Sequence, residues 1–360
     1  MKITDLKTTD LRVPMRRPFG DSRLTTESVD WLFVELETDE GITGYGQIGA
    51  LHGASTMLHL IHAEFKPVVL GEDPTMIEAL REKMRRRTIY YGREGFAVWG
   101  FAAIETACWD ILAKRAKLPL YKLLGGARRE VPAYASGIDA AMTEKQLVSQ
   151  HAGFVKQGFT AVKMKIGNRP VEEDVKRIRA VRKTVGEEVR LAVDANQYYT
   201  VAEALRMGRH LDEMNVFWFE EPIPTHDVAG MAELARELDT PIAAGEMEWS
   251  EDPFREWLAR RAVDIVQPDL IRNGGVAEVM RIAAMAHAAN VPVATHFYIE
   301  MSAQLMAAMP NALILEWIPQ LNLSEVLEEP PVIRNGVVRL AEKPGNGVKY
   351  SGAAKRKFGV

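Results

Sequence analysis

A single cysteine, Cys108, stands among the 360 residues, so no disulfide can form within the chain, and this usage fits a reducing compartment. It lies in the apolar helical stretch FAAIETACWDILA and reads as a buried structural thiol. Charge of one sign is also lacking. The formal net charge is -4, with no basic block to seat a nucleic acid and no acidic tail to suggest disorder. The opening residues, MKITDLKTTDLRVPM, contain no long apolar core and do not read as a signal peptide. No uninterrupted apolar run reaches the length of a bilayer span. These absences predict a cytoplasmic protein with neither nucleic-acid nor membrane partners. Two catalytic signatures are missing too: the G-x-S-x-G elbow and the Walker phosphate loop. The remaining composition, 47% hydrophobic and 26% charged, is that of a globular chain with a large core and room for about two domains.

The pattern changes once along the chain. Residues 1 to 50 read as antiparallel strands, with DWLFVELETDEGITGYGQIG folding about a Thr-Asp-Glu-Gly turn. Helical patterns follow at 54–68, 75–87 and 94–117, and Gly125-Gly126 breaks the chain. Strands followed by helices predict an α+β unit over residues 1–125. After residue 130 short apolar runs alternate with helical segments. The runs are VPAYAS, TAVKMKI, VRLAVDA, VFWFE, PIAAGE, VDIVQPD, VPVATH and LILE. Eight strands joined by seven helices predict a (β/α)7β TIM-like barrel over 126–320, with an open doubly wound sheet as the alternative. Polar residues end many of the strands, which favours the barrel. An open sheet would gather its ligands at one switch point. The Pro- and Gly-richer segment 321–360 is predicted to fold back onto the first unit.

Asp194, Glu220 and Glu246 each end an apolar run, and 26 residues separate each from the next. That interval fits one βα unit, so the three carboxylates are predicted to end successive parallel strands at one mouth. One acid after a strand is commonly a helix cap or a solvated loop residue. Here Thr200 and Ser250 lie downstream as better caps. Three acids in register suit a hard divalent cation such as Mg2+. One unit earlier, Lys163 and Lys165 alternate with Val162, Met164 and Ile166, so both lysines share the face opposite the apolar one. Solvated lysines are the common outcome for such a pair. On a barrel strand the pair points inward instead, and two crowded ammonium groups are expected to depress each other's pKa. Asp269 and His296 end the next two strands, where the carboxylate can orient the imidazole. Glu316 ends the eighth strand, as a further site carboxylate or a rim ion pair.

Together these residues resemble the enolase superfamily, and within it the mandelate racemase subgroup. The likeness covers nearly the whole chain: a capping unit, a (β/α)7β barrel and a returning tail. It rests on Lys163-x-Lys165, Asp194-x-Asn196, Glu220 in FEEP, Glu246 in GE, Asp269 in QPD, His296 in TH, and Glu316. A lysine on the sixth strand would instead have suggested the muconate-lactonising subgroup. The resemblance implies Mg2+ on Asp194, Glu220 and Glu246, with a substrate carboxylate chelated beside it. It implies Lys165 and His296 as bases on opposite faces of the substrate, with Lys163 and Glu316 at the carboxylate. The outcome it implies is dehydration of a sugar acid (an aldonate or aldarate) to a 2-keto acid. Racemisation or epimerisation of an α-hydroxy acid is the alternative, and a non-catalytic barrel stabilised by its metal is a third. Substrate choice is expected in the capping loops 16–26 and 47–56, through Asp21, Arg23 and His52, with Asn196 from the barrel and Ser22, Tyr90, Tyr91 and Arg93 nearby. Their polarity favours a hydroxyl-rich acid. The resemblance further implies a homo-oligomer, dimeric or octameric, acting on a small carboxylate.

Overall fold

The computed structural model describes residues 1–321 and 323–360, without the side chains of residues 16–19. Those four residues, part of the expected 16–26 substrate loop, lie outside the described side chains. The chain opens with three antiparallel strands, β1 (Ile3–Gly20), β2 (Thr25–Thr38) and β3 (Thr43–Ala50). Helices α1 (Ala54–Leu60), α2 (Lys66–Val69), α3 (Ile77–Arg87), α4 (Phe96–Arg115) and α5 (Leu120–Leu123) cover the sheet. The first helical pattern is broken: a five-residue π turn, Ile61–Phe65, separates α1 from α2. Helix α4 is long and apolar enough to cross a bilayer, yet 78% of its apolar stretch is buried inside the protein, which makes it the core helix of the cap. Cys108 lies on its buried face, where desolvation pushes the thiol pKa far up and keeps it inert. The sheet and α4 pack unusually close. A Cβ on Gly46 would lie 1.9 Å from the Ala103 carbonyl oxygen, and one on Gly44 2.1 Å from that of Ala107.

The barrel follows, with β4 (Glu130–Ser136), β5 (Ala161–Lys165), β6 (Arg190–Asp194), β7 (Phe219–Glu220), β8 (Ile242–Ala244), β9 (Ile265–Val266) and β10 (Leu315–Trp317). The alternating helices are α6 (Glu144–Lys156), α7 (Val171–Val185), α8 (Val201–Glu213), α9 (Val228–Glu237), α10 (Asp252–Arg260), α11 (Val276–Ala288) and α12 (Ile299–Met306). β10 pairs in parallel with β4, which closes the barrel and excludes the open sheet. The seventh run, VPVATH, forms no regular strand. Pro292 has no N–H to give, and the segment is held by single bonds: Val293 N–H donates to Asn311 O at 3.0 Å and Ala294 N–H to Val266 O at 3.0 Å. One residue from each of the eight positions fills the lumen, with Tyr134 and Trp218 as the bulk and alanines opposite.

The tail meets both units, its hairpin on the barrel and its last helix on the first sheet. β11 (Ile333–Arg334) and β12 (Val337–Arg339) add an antiparallel hairpin to β4, and α13 (Gly352–Phe358) packs on β1. Asp110 of α4 accepts the amides of Tyr45 (3.0 Å) and Asn346 (2.8 Å), tying β3 to the tail. Across the cap–barrel boundary, Glu105 of α4 accepts the Val276 and Ala277 amides at 2.8 and 2.9 Å, capping α11. Arg81 of α3 pairs with Glu278 and lies 3.7 Å from Glu105, all three side chains being buried.

Candidate active site

Every strand-end residue singled out in the sequence, from Lys163 to Glu316, reaches the same mouth. Lys163 and Lys165 are 0% and 4% exposed, and Val162, Met164 and Ile166 pack on the opposite face. Asp194, Glu220 and Glu246 place carboxylate oxygens within 4.8 Å of one another. Lys163 Nζ reaches Glu220 Oε1 (2.5 Å), Glu316 Oε1 (2.9 Å) and Asp194 Oδ2 (3.3 Å), while Lys165 Nζ donates to Asp194. On the far side of the acid trio, His296 Nδ1 bonds Asp269 Oδ2 at 2.7 Å and its Nε2 lies 3.2 Å from Glu246 Oε2. The trio therefore lies between a lysine and a histidine.

The expected mutual depression of the two lysines does not occur. Burial opposes their charge, but the surrounding carboxylates outweigh both burial and mutual repulsion, and both pKa values lie above the ordinary lysine value. For Asp194 burial opposes ionisation, yet Lys165 and Lys163 hold the pKa well below the usual range. Glu220 goes the other way: burial and the Asp194 charge push it up to about 8. Glu316 is held at about 2, burial being overcome by Lys163 and His296. The His296 pKa is raised, because Glu246 and the Asp269 bond together exceed the effect of burial. Glu246 Oε2 is buried and makes no hydrogen bond, with the His296 imidazole 3.2 Å away as its ion-pair neighbour. Three buried carboxylates converging as an all-oxygen set suit a hard divalent cation, so these residues fit Mg2+.

Backbone strain concentrates here. Asn196 and Gln197 after Asp194, Glu221 after Glu220, and Phe297 and Tyr298 after His296 all have left-handed φ, between 38° and 63°. Each strand ends in a sharp turn that leaves its acid or base at the rim. Two supports were not read from the sequence: Trp218 Nε1 and Gln267 Nε2 donate to Glu220 Oε2 at 2.9 and 2.8 Å. Both stand two residues before a site acid, Glu220 and Asp269, so strand alternation already put them on the same face. Arg272 Nη1, 3.3 Å from Glu246 Oε1, was also missed.

The expected substrate residues divide. Asp21, Arg23 and Asn196 line a cavity of about 550 Å³ over the mouth; His52 is exposed and not among its lining residues. Tyr90 and Tyr91 are exposed, and Arg93 borders a separate cleft with Trp249. Ser22 is buried and donates to Ala195 O at 2.8 Å; Arg23 donates to Asn196 O at 2.9 Å and to Gln197 O. The capping loop is thus latched to the turn after Asp194. Thr200 caps α8 as expected, with Glu203 completing a capping box. Ser250 does not cap α10. Glu251 occupies that position, and Ser250, itself left-handed, reaches only Asp252 N at 3.5 Å.

Comparison with known proteins agrees with this geometry. Residues 3–125 match the mandelate racemase/muconate lactonizing enzyme N-terminal domain, and residues 146–354 match the enolase C-terminal domain-like family. An arabinonate dehydratase of Saccharolobus solfataricus is 39% identical over 90% of this chain and 89% of its own. A racemase from Streptomyces coelicolor A3(2), solved with bound magnesium, superposes with a TM-score of 0.95 at 30% identity, covering 99% of this chain and 100% of its own. An L-talarate dehydratase from Polaromonas sp. JS666, complexed with Mg and L-glucarate, has a TM-score of 0.93 at 32% identity over 100% and 97% of the two chains.

Proposed function

The chain belongs to the mandelate racemase subgroup of the enolase superfamily, and on that premise we propose that it is a Mg2+-dependent dehydratase of a sugar acid. One observation carries this: Lys165 and His296 flank the carboxylate trio, the first against Asp194 and the second against Glu246. Asp194, Glu220 and Glu246 hold the metal. Bound there, Mg2+ supplies positive charge against the second negative charge that builds on the substrate carboxylate as its α-proton leaves. Lys165 removes that proton from one face. His296, oriented by Asp269, donates a proton to the departing β-hydroxyl from the other, giving water and an enol that tautomerises to the 2-keto acid. Lys163 and Glu316 hold the substrate carboxylate, and Asn196, Asp21 and Arg23 border the substrate. The magnesium-bound racemase relative favours one alternative, in which His296 returns the proton to the α-carbon itself.

We further propose that residues 1–125 and 321–360 form the cap and 126–320 the catalytic barrel, in a cytoplasmic homo-oligomer of two or eight copies. The exposed run Ile89, Tyr90 and Tyr91 supports a contact between copies. To test the chemistry, a panel of aldonates and aldarates is incubated with the protein and Mg2+ in D2O. 2-Keto acid formation marks dehydration; α-deuterium with inversion and no keto acid marks racemisation and overturns the proposal. EDTA abolishes turnover and Mg2+ restores it; activity indifferent to the metal removes the ligand assignment.

A further inference from the structure

The hydrogen-bonded ladder between β4 and β5 runs out at Gly137, whose N–H donates to Lys163 O at 2.9 Å. Lys165 lies two residues further along β5, and its N–H takes a side chain as acceptor: Asp139 Oδ1, at 2.9 Å. The second oxygen of that carboxylate is held from α6. Gln150 Nε2 donates to Asp139 Oδ2 at 2.8 Å, and His151 Nε2 lies 3.1 Å from it. A carboxylate accepts, so His151 Nε2 is the nitrogen that carries the proton, and the buried Nδ1 is left without a partner. Asp139 and His151 are 1% and 0% exposed.

The turn that carries Asp139 is itself fixed from several sides. Gly137 leaves room for the carboxylate, since a Cβ there would run into Asp139 Oδ2 and Gln150 Nε2. Arg177 of α7 donates to Asp139 O and Ala140 O, each at 3.3 Å. From the cap, Gly20 O accepts the Ala140 N–H at 3.2 Å. On the β6 side, Ile166 N–H donates to Asp194 O at 2.8 Å and Lys165 Nζ to the Asp194 carboxylate. The end of β5 is therefore gripped between Asp139 and Asp194. Without the Asp139 carboxylate the Lys165 amide becomes a buried donor with no acceptor, at the residue that must meet the α-carbon.

Resting on the reading of Lys165 as the base, we propose that Asp139, braced by Gln150 and His151, is a positioning residue for that base. It holds the Lys165 main chain and so fixes where Nζ meets the α-proton. An error of about 1 Å in placing a reacting group costs about a hundredfold in rate.

The experiment uses the full chain with Mg2+ and the acid of the aldonate and aldarate panel that it turns over. α-Proton exchange in D2O reads the Lys165 step, and 2-keto acid formation reads the whole reaction. Asp139→Leu keeps the volume and removes the acceptor; it is expected to lower kcat in both readouts by about ten- to a hundredfold per folded molecule. KM and the calorimetric Mg2+ affinity should stay within about twofold of wild type. Asp139→Asn keeps an oxygen for the Lys165 N–H and should recover most of the loss. A wild-type kcat in Asp139→Leu overturns the assignment and leaves the base reading standing. So does a loss that Asp139→Asn fails to recover, or one that KM and Mg2+ affinity share, because the carboxylate then supports the whole mouth. Asp139→Ala replaces Asp139→Leu if the latter does not fold; if neither folds, the residue is structural and the assignment falls. Wild-type exchange in Lys165→Ala, or no exchange of any panel acid by the wild-type protein, removes the base reading itself, and the assignment with it.

Discussion

With Lys163 and Lys165 buried beside Asp194, Glu220 and Glu316, the two lysines stay charged because the carboxylates around them together outweigh burial. The lysine pair was legible from strand alternation and the acids from their spacing. The direction of the lysine shift was not, because it depends on distances between strands that a single sequence does not contain. The two residues should separate by step. Lys165→Ala is expected to lower both α-proton exchange and 2-keto acid formation by about 10²–10⁴-fold, and His296→Asn to lower 2-keto acid formation by a similar factor while sparing exchange, as followed by NMR in D2O. Loss of exchange in His296→Asn as well would contradict the division of roles. Glu300 presents a different case. Both its carboxylate oxygens are buried without partners, and burial pushes its pKa up to about 8. A raised carboxyl pKa means that the folded state keeps a proton the unfolded chain has already lost. Stability therefore falls as pH climbs from the ordinary glutamate range towards 8 and levels off above it, by an upper bound on the order of 5 kcal/mol. Glu300→Gln should flatten that slope in denaturant titrations between pH 5 and 8. An unchanged slope would show that Glu300 is ionised throughout.

Among the elements, the strands that carry the later site residues are the least regular of the barrel. β7 and β9 each span two residues, and the run ending in His296 is held only by single bridges. Apolar composition placed all eight, since burial on both sides is what apolar runs report. It could not show how short the hydrogen-bonded ladders are, because left-handed turns at Asn196, Glu221 and Phe297 end each strand at its functional residue. Contact between β3 and α4 was equally illegible: a glycine in a strand sequence does not say which backbone approaches it. Gly46→Ala drives a methyl into the Ala103 carbonyl and should destabilise by about 3 kcal/mol or more, if it folds at all. Gly153→Ala, inside α6 with no atom within 4 Å of the new methyl, should stabilise by about 1 kcal/mol. Thermal denaturation of the two variants gives opposite signs; a stable Gly46→Ala would mean that β3 and α4 can part without loss.

Across the whole molecule, cap and barrel are joined by buried charge. Arg81 holds Glu278 and lies beside Glu105, and Glu105 caps α11, the helix that follows the Asp269 turn. Arg81→Met removes the buried cation between Glu105 and Glu278, of which Glu278 keeps Arg281 at 3.0 Å and Arg85 at 3.7 Å. A loss of about 3–5 kcal/mol is expected, with calorimetry showing the cap melting ahead of the barrel. A single transition at the wild-type temperature would show that the junction is held by apolar contact alone. The cap also has an order of manufacture written into it. Asn346 donates to Tyr45 O across 301 positions of chain, and Tyr350 to Glu35 across 315. On the ribosome the first sheet must therefore wait, with its contacts to the tail unmade, while the entire barrel is translated. The lid over the metal centre is the first part of this protein to be made and among the last to be completed.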